Sequence, residues 1–148
     1  MTKYWIGVVS ADHVALAVQN GFIQIGHGKR TGVARQQKGD WIIYYSAKAT
    51  MDSKEPLQEF TALGQITDDE PYQGLRPDGF KPWRRNANFE KVKPLPIRPL
   101  LGELSFIKDK THWGVAFRYG ILEIPEQDFN LLAGLLRQFA DANDDLPF

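Results

Sequence analysis

Apolar residues in this chain fall mostly in short β-forming runs, with only two stretches at helical spacing. Lys3–Val9 carries Tyr4, Trp5, Ile6, Val8 and Val9 and reads as a strand. Ser10 is placed to cap a short helix, with Asp12 in its first turn and Val14, Ala17 and Val18 on one face. Asn20-Gly21 ends it, Gly21 supplying a left-handed residue. Asp40–Ser46 (DWIIYYS) is apolar enough to be a central strand, and Glu59–Thr67 is another. Ala47–Leu57 between them is a polar loop. PYQGLRPDGFKP is a second loop, rich in proline and glycine. Trp83–Val92 reads as a long strand with Trp83, Ala87 and Phe89 on one side. KPLPIRPLLGEL is an extended connector leading to a short helical turn. Gly114–Ile124 reads as one or two strands around Tyr119-Gly120. Pro125 opens the last helix, where Glu126 and Asp128 suit the N-terminus. Phe129, Leu132, Ala133, Leu136, Phe139 and Ala140 form its apolar stripe, and Asp141–Phe148 is expected to fray.

Strands outnumber helices, and successive strands are often separated by less than a helix. That predicts an α+β domain: a mixed or antiparallel sheet, curled or closed, with helices packed outside. At 148 residues the chain suits one domain spanning 1–148, long enough to bury a core without staples. No internal repeat or low-complexity tract interrupts it.

Composition narrows the chemistry. There are no cysteines, which excludes disulfides, thiolate metal sites and a cysteine nucleophile, and suggests a reducing, cytoplasmic setting. The N-terminus does not resemble a signal peptide, and no apolar run approaches the ~20 residues of a membrane span. Formal net charge is zero, yet the charges are segregated. His27–Gly39 holds Lys29, Arg30, Arg35 and Lys38 and no acid; Arg76–Lys93 is also basic. Asp52–Glu70 and Glu123–Phe148 are acidic. A neutral total argues against indiscriminate polyanion binding, while two basic segments permit a local anion-facing surface.

The stretch GFIQIGHGKRTG, Gly21 to Gly32, invites comparison with phosphate loops. Gly21 and Gly26 have the spacing of G-x-x-x-x-G-K-[ST], but His27 stands where lysine is required and Gly28 where a metal-binding hydroxyl is required. A dinucleotide fingerprint fails too, because the glycine after Gly26-His27-Gly28 is Gly32, one residue late. Phe22, Ile23 and Ile25 are too apolar for a loop that meets only water. A short extended segment lying on the sheet, with glycines allowing close backbone approach to a ligand, accounts for them better. Lys29 and Arg30 then face solvent or an anion.

No catalytic constellation stands out. His13, His27 and His112 share no metal-binding spacing, G-x-S-x-G is absent, and no metal or cofactor site is expected. Aromatics are abundant: four Trp, five Tyr and nine Phe, of which Trp41, Phe129 and Phe139 read as core. FKPWRRN sets Phe80 and Trp83 beside Lys81, Arg84 and Arg85. Two readings fit it. One is a site where a base stacks and its phosphates are held. The other is an ordinary strand with aromatics facing the core and arginines facing water.

YWIGVVSADHV, GFIQIGHGK, GDWIIYYS, FTALGQI, WRRNANF and WGVAFRYGILEIPEQDF, in that order, resemble the EVE domain family across nearly the whole chain. The chain departs from it at Ala47, where relatives often carry proline. The resemblance implies a PUA-like fold, a curled, barrel-like mixed β-sheet with flanking helices. EVE domains are similar to YTH domains, which hold a methylated RNA base in an aromatic cage, and they are implicated in reading modified bases, in DNA for several members. By that resemblance Gly21–Lys29 forms a wall of a base pocket, with Phe22 as a cage aromatic and Ser10 at a pocket position. Phe80 or Trp83 supplies the opposite wall, and Tyr44, Tyr45 and Ser46 the floor. Backbone groups around Ile23 and Gln24 read the base edge, while Lys29, Arg30, Arg84 and Arg85 hold phosphates. The implied partner is a DNA or RNA carrying a modified base. The rivals are an enzyme acting on a small nucleotide-like molecule with His27 as general base, and a protein-interaction module using the same groove.

Overall fold

The computed structural model describes residues 1–144, with side chains described as far as Gln138. Its frame is a mixed sheet of eight strands. In chain order these are β1 (Tyr4–Val8), β2 (Phe22–Ile23), β3 (Trp41–Ser46), β4 (Glu59–Ile66), β5 (Tyr72–Gln73), β6 (Trp83–Phe89), β7 (Leu95–Pro96) and β8 (Ile121–Ile124). Helix α1 (Ala11–Asn20) follows β1, and α2 (Glu126–Asp144) follows β8. The main path is β2-β6-β4-β3-β1-β8, with β5 paired to β6 and β7 to β4. Among the described residues only β1 and β3 run parallel, from Tyr4 opposite Trp41 to Val8 opposite Tyr45, and α1 lies on the crossover between them.

The sheet is open, so the barrel-like expectation is corrected. The path ends at β2 and β8, which do not pair among the described residues. β2 is only two residues long and offers too little ladder to close the circle.

β3 is apolar throughout because both faces of the sheet are covered. Ile43 and Tyr45 face one core with Ile6, Phe60 and Leu63 from the sheet and Phe129, Leu132, Ala133 and Leu136 from α2. Ile42 and Tyr44 face a second core with Trp5, Val14, Ala17, Ile23 and Ile25. Each buried Leu, Ile or Phe side chain contributes about 1.5–3 kcal/mol relative to exposure. The stripe on α2 is therefore what holds that helix to the sheet. Phe139 and Ala140, read as part of that stripe, lie outside the described side chains. The helix itself continues to Asp144, further than the expected fraying from Asp141.

Three local expectations change. Val18 is 38% exposed, so α1 buries Val14 and Ala17 only. Residues 113–117 form a 3-10 turn instead of a strand. This lets Phe117 stack on Tyr45 at 4.3 Å between ring centroids, with Trp113 edge-on to both. Asp128 is buried and does more than complement the helix N-terminus. It accepts hydrogen bonds from the Ser105 N–H at 3.1 Å, the Ser105 hydroxyl at 2.7 Å and the Phe106 N–H at 2.9 Å, tying the preceding loop to α2.

Candidate functional site

A cleft of about 1110 Å³ opens between the two ends of the sheet. From one side come Val8, Val9 and Ser10 at the end of β1, His13 and Leu16 from α1, and Arg118–Gly120 just before β8. From the other come Phe22, Gln24 and His27, with Arg84 of β6 and the β5–β6 hairpin (Tyr72, Leu75, Arg76, Phe80). Strand parity builds the second wall. Phe22 pairs with Asn86 and Tyr72 with Arg84, so Phe22, Arg84, Asn86 and Tyr72 share the outer face of β2–β6–β5. The Tyr72 hydroxyl donates to Asn86 Oδ1 at 2.7 Å, which fixes the ring, and burial raises its pKa.

Arg84 lines the cleft and is held by three neighbours. Its Nε donates to Gln24 Oε1 at 3.0 Å, and its guanidinium carbon lies 4.0 Å from the Phe22 ring centroid. Behind it Gly74 leaves room that a Cβ would take from the guanidinium. Phe22 is thus in the cleft, but one of its faces is already covered by Arg84. Gly28 plays a similar part for Phe80. With φ of 78° it adopts a conformation suited to glycine, and a Cβ there would meet Pro82 Cβ at 2.7 Å and Phe80 Cζ at 3.0 Å.

The charged lining is basic, with Asp78 paired to Arg76 at 3.3 Å and Asp12 to Ser10 at 2.6 Å just behind it. Arg76, Arg84, Arg118, His13 and His27 line the cleft, and among the described residues no aspartate or glutamate does. The surface is also unusually apolar. Leu16, Met51, Leu75, Phe80 and Tyr119 are exposed large hydrophobics, and all line this cleft. Cations, aromatics and aliphatic surface in one groove suit a flat, apolar ligand that carries negative charge.

Ser10 lies in the cleft with its proton already committed. Its hydroxyl donates to Asp12 Oδ1 at 2.6 Å instead of capping the helix, and this bond is the main reason the Asp12 carboxyl sits below its ordinary pKa. Ser10 can therefore accept a hydrogen bond from a ligand more readily than donate one. The first amides of α1 are occupied too. Ala11 N–H donates to Lys48 O, Asp12 N–H to Ala49 O, His13 N–H to Asp12 Oδ1 and Val14 N–H to Ser10 O. The helix end offers no free amides to an anion. His27 lines the cleft at a φ of 60°, and among the described residues no carboxylate orients its ring.

Ser10, Phe22, Gln24, Phe80 and Arg84 thus converge, whereas eight other residues expected at the site lie elsewhere. Ile23 is fully buried, and the backbone of Gln24 is tied to the Tyr44 hydroxyl, leaving only the Gln24 side chain for a ligand. Tyr44, Tyr45 and Ser46 are buried in β3, Tyr44 and Tyr45 in the cores on opposite faces, and none of them lines the cleft. Burial raises the pKa of Tyr44, and pushes that of Tyr45 up to about 12. Ser46 donates to Val9 O at 2.7 Å. Trp83 is half-buried outside the cleft with Arg30 above its ring at 5.5 Å, whereas Phe80 lines the cleft. Lys29 and Arg30 are exposed but outside the cleft.

Arg85 is the clearest correction. It is 1% exposed and shares the inner face of β6 with Ala87. Its Nε donates to Asp68 Oδ1 at 2.7 Å and its terminal nitrogens to the carbonyls of Asp68, Val33 and Gln36. Four of its five N–H groups are bound internally and the side chain is buried, so Arg85 is out of reach of a phosphate.

The sequence reading missed His13, Tyr72, Arg76, Arg118 and Tyr119. Arg118-Tyr119 carries the same cation-beside-aromatic signal as FKPWRRN and could have been found by it. The contribution of Tyr72 depends on pairing with β6, which no local signal announces.

This arrangement, an open mixed sheet with a basic aromatic cleft between its ends, defines the class of protein. The chain belongs to the EVE domain family, whose sequence model matches residues 3–135. It is 47% identical over 128 residues to a UPF0310 protein of Mycolicibacterium vanbaalenii, a match covering 86% of this chain and 88% of that one. It is 46% identical over 123 residues to a Bacillus licheniformis protein named for its place in the gntR 5′ region, covering 83% and 84%. Among solved structures, a hypothetical protein from Leishmania major has the same fold at a TM-score of 0.58 and 11% identity, covering 93% of this chain and 96% of that one. An NMR structure from Rhodopseudomonas palustris superposes with a TM-score of 0.56 at 14% identity, covering 93% and 94%. Among the described residues no helix is long and apolar enough to cross a membrane.

Proposed function

We propose that this protein binds nucleic acid by taking a single modified base into the cleft between the ends of its sheet, without chemical turnover. The observation that carries this reading is the cleft's composition: three arginines and two histidines, aromatic rings, and no acid among the described lining residues. Phe80 supplies a stacking face, and the plane of Arg84 backed by Phe22 supplies another. Ser10 Oγ and the Gln24 amide can read a polar edge. Leu16 and Met51 offer an apolar corner for a methyl group, which discriminates by about 1–3 kcal/mol, or roughly 10- to 200-fold. A base already outside a duplex is easier to accept, because extrusion costs a few kcal/mol.

The test is a filter-binding panel of modified and unmodified DNA and RNA oligonucleotides beside free nucleosides. Preferential retention of one modified strand supports the reading, and Arg84→Ala then lowers affinity about tenfold or more. Equal retention of every strand would sink modified-base recognition. Turnover of a nucleotide that is lost in His27→Ala with binding intact would favour the enzyme instead. Binding of acidic peptides but no oligonucleotide would favour a protein-interaction module.

A further inference from the structure

We infer that the rim of the cleft holds a second nucleobase, stacked on Tyr119, beside the one held inside; this rests on the reading above. Tyr119 is 84% exposed, more than any other large hydrophobic side chain among the described residues except Met1. It nevertheless lines the cleft, and its turn is fixed to the sheet. The Gly120 carbonyl accepts from the Val8 N–H at 2.8 Å, and the Gly120 N–H donates to the Phe117 carbonyl at 3.3 Å. The anchored turn fixes the backbone that carries the ring, so less ordering is required on binding than on a free loop.

Two neighbours point to the same ligand. Arg118 precedes Tyr119 and lines the same cleft, where a phosphate joining two stacked nucleotides would pass. Leu75, 70% exposed, borders the cleft as well and offers a second apolar surface. Size agrees. Sites for one drug-sized molecule span about 300–1,000 Å³, and this cleft, at about 1110 Å³, has room beyond one base. The fitting ligand is a single-stranded segment of at least two nucleotides, in which Tyr119 serves the neighbouring base and Arg84 the inner one.

The experiment compares two probes at low salt. One is a fluorescein-labelled single-stranded DNA heptamer of alternating cytosine and thymine, followed by anisotropy. The other is deoxycytidine 5′-monophosphate, followed by competition. Tyr119→Ala is expected to weaken the heptamer about tenfold and leave the mononucleotide unchanged, with Tyr119→Phe restoring binding. Arg84→Ala is expected to weaken both. If Tyr119→Ala binds the heptamer normally while Arg84→Ala loses it, the rim site is wrong and the inner site stands. Equal loss of both probes in Tyr119→Ala overturns the rim site too. If the wild-type chain binds neither probe, the rim site falls, while modified-base recognition stands or falls on the filter panel.

Discussion

Arg84 and Arg85 are neighbours in the chain and opposites in their surroundings. Arg84 faces the cleft on Phe22, and Arg85 is sealed inside with four internal partners. The two are expected to separate function from stability. Arg84→Ala should cost little stability but weaken ligand binding. Arg85→Ala should cost about 3–5 kcal/mol in urea unfolding, because the Asp68 carboxylate and three carbonyls lose their donor. That outcome was partly legible. The alternation that puts Trp83, Ala87 and Phe89 on one side of β6 puts Arg85 there as well. An arginine among apolar residues of the same parity is a buried arginine, and reading it as a surface cation ignored the parity. Phe80 and Trp83 make a second contrast. Phe80→Ala should reduce oligonucleotide affinity in anisotropy, whereas Trp83→Ala should leave it largely intact. At Ser10, the Ser10→Ala change should raise the titration point of Asp12 toward the ordinary carboxylate range, read by NMR. A depressed folded pKa stabilises the fold above the unfolded value and loses that contribution as pH falls through the lowered one. The Asp12 term is therefore an acid-side effect, and Ser10→Ala should shrink it.

At the level of elements, most strands were legible because their apolar runs alternate or fill at the right length. β3 gave itself away as central, since a strand covered on both faces cannot alternate. Residues 113–117 were not legible. Their β-forming composition is overridden by the stacking of Phe117 on Tyr45, a contact between distant segments. The cleft was harder still, because it is assembled from the end of β1, α1, the stretch after β2, the β5–β6 hairpin and the turn before β8. No local pattern records that meeting. The two-faced core carries its own prediction. Leu136 lies on the α2 side and the cleft lies beside α1. Leu136→Ala should destabilise the fold by about 2–5 kcal/mol in chemical denaturation and leave oligonucleotide affinity unchanged in conditions where it remains folded.

For the whole molecule, the relevant quantity is where the charge sits. Binding of single strands that neutralises up to three phosphates should give a log-log salt slope of about −2, and Arg118→Ala should reduce its magnitude by about 0.7. The slope is measured from affinities between low and physiological salt. A formal net charge of zero, with three arginines and no acid in the cleft lining, leaves a small net negative charge on the rest of the chain. If the cleft takes up a strand as proposed, that separation favours encounters in which the mouth of the groove, more than the rest of the surface, meets the polyanion.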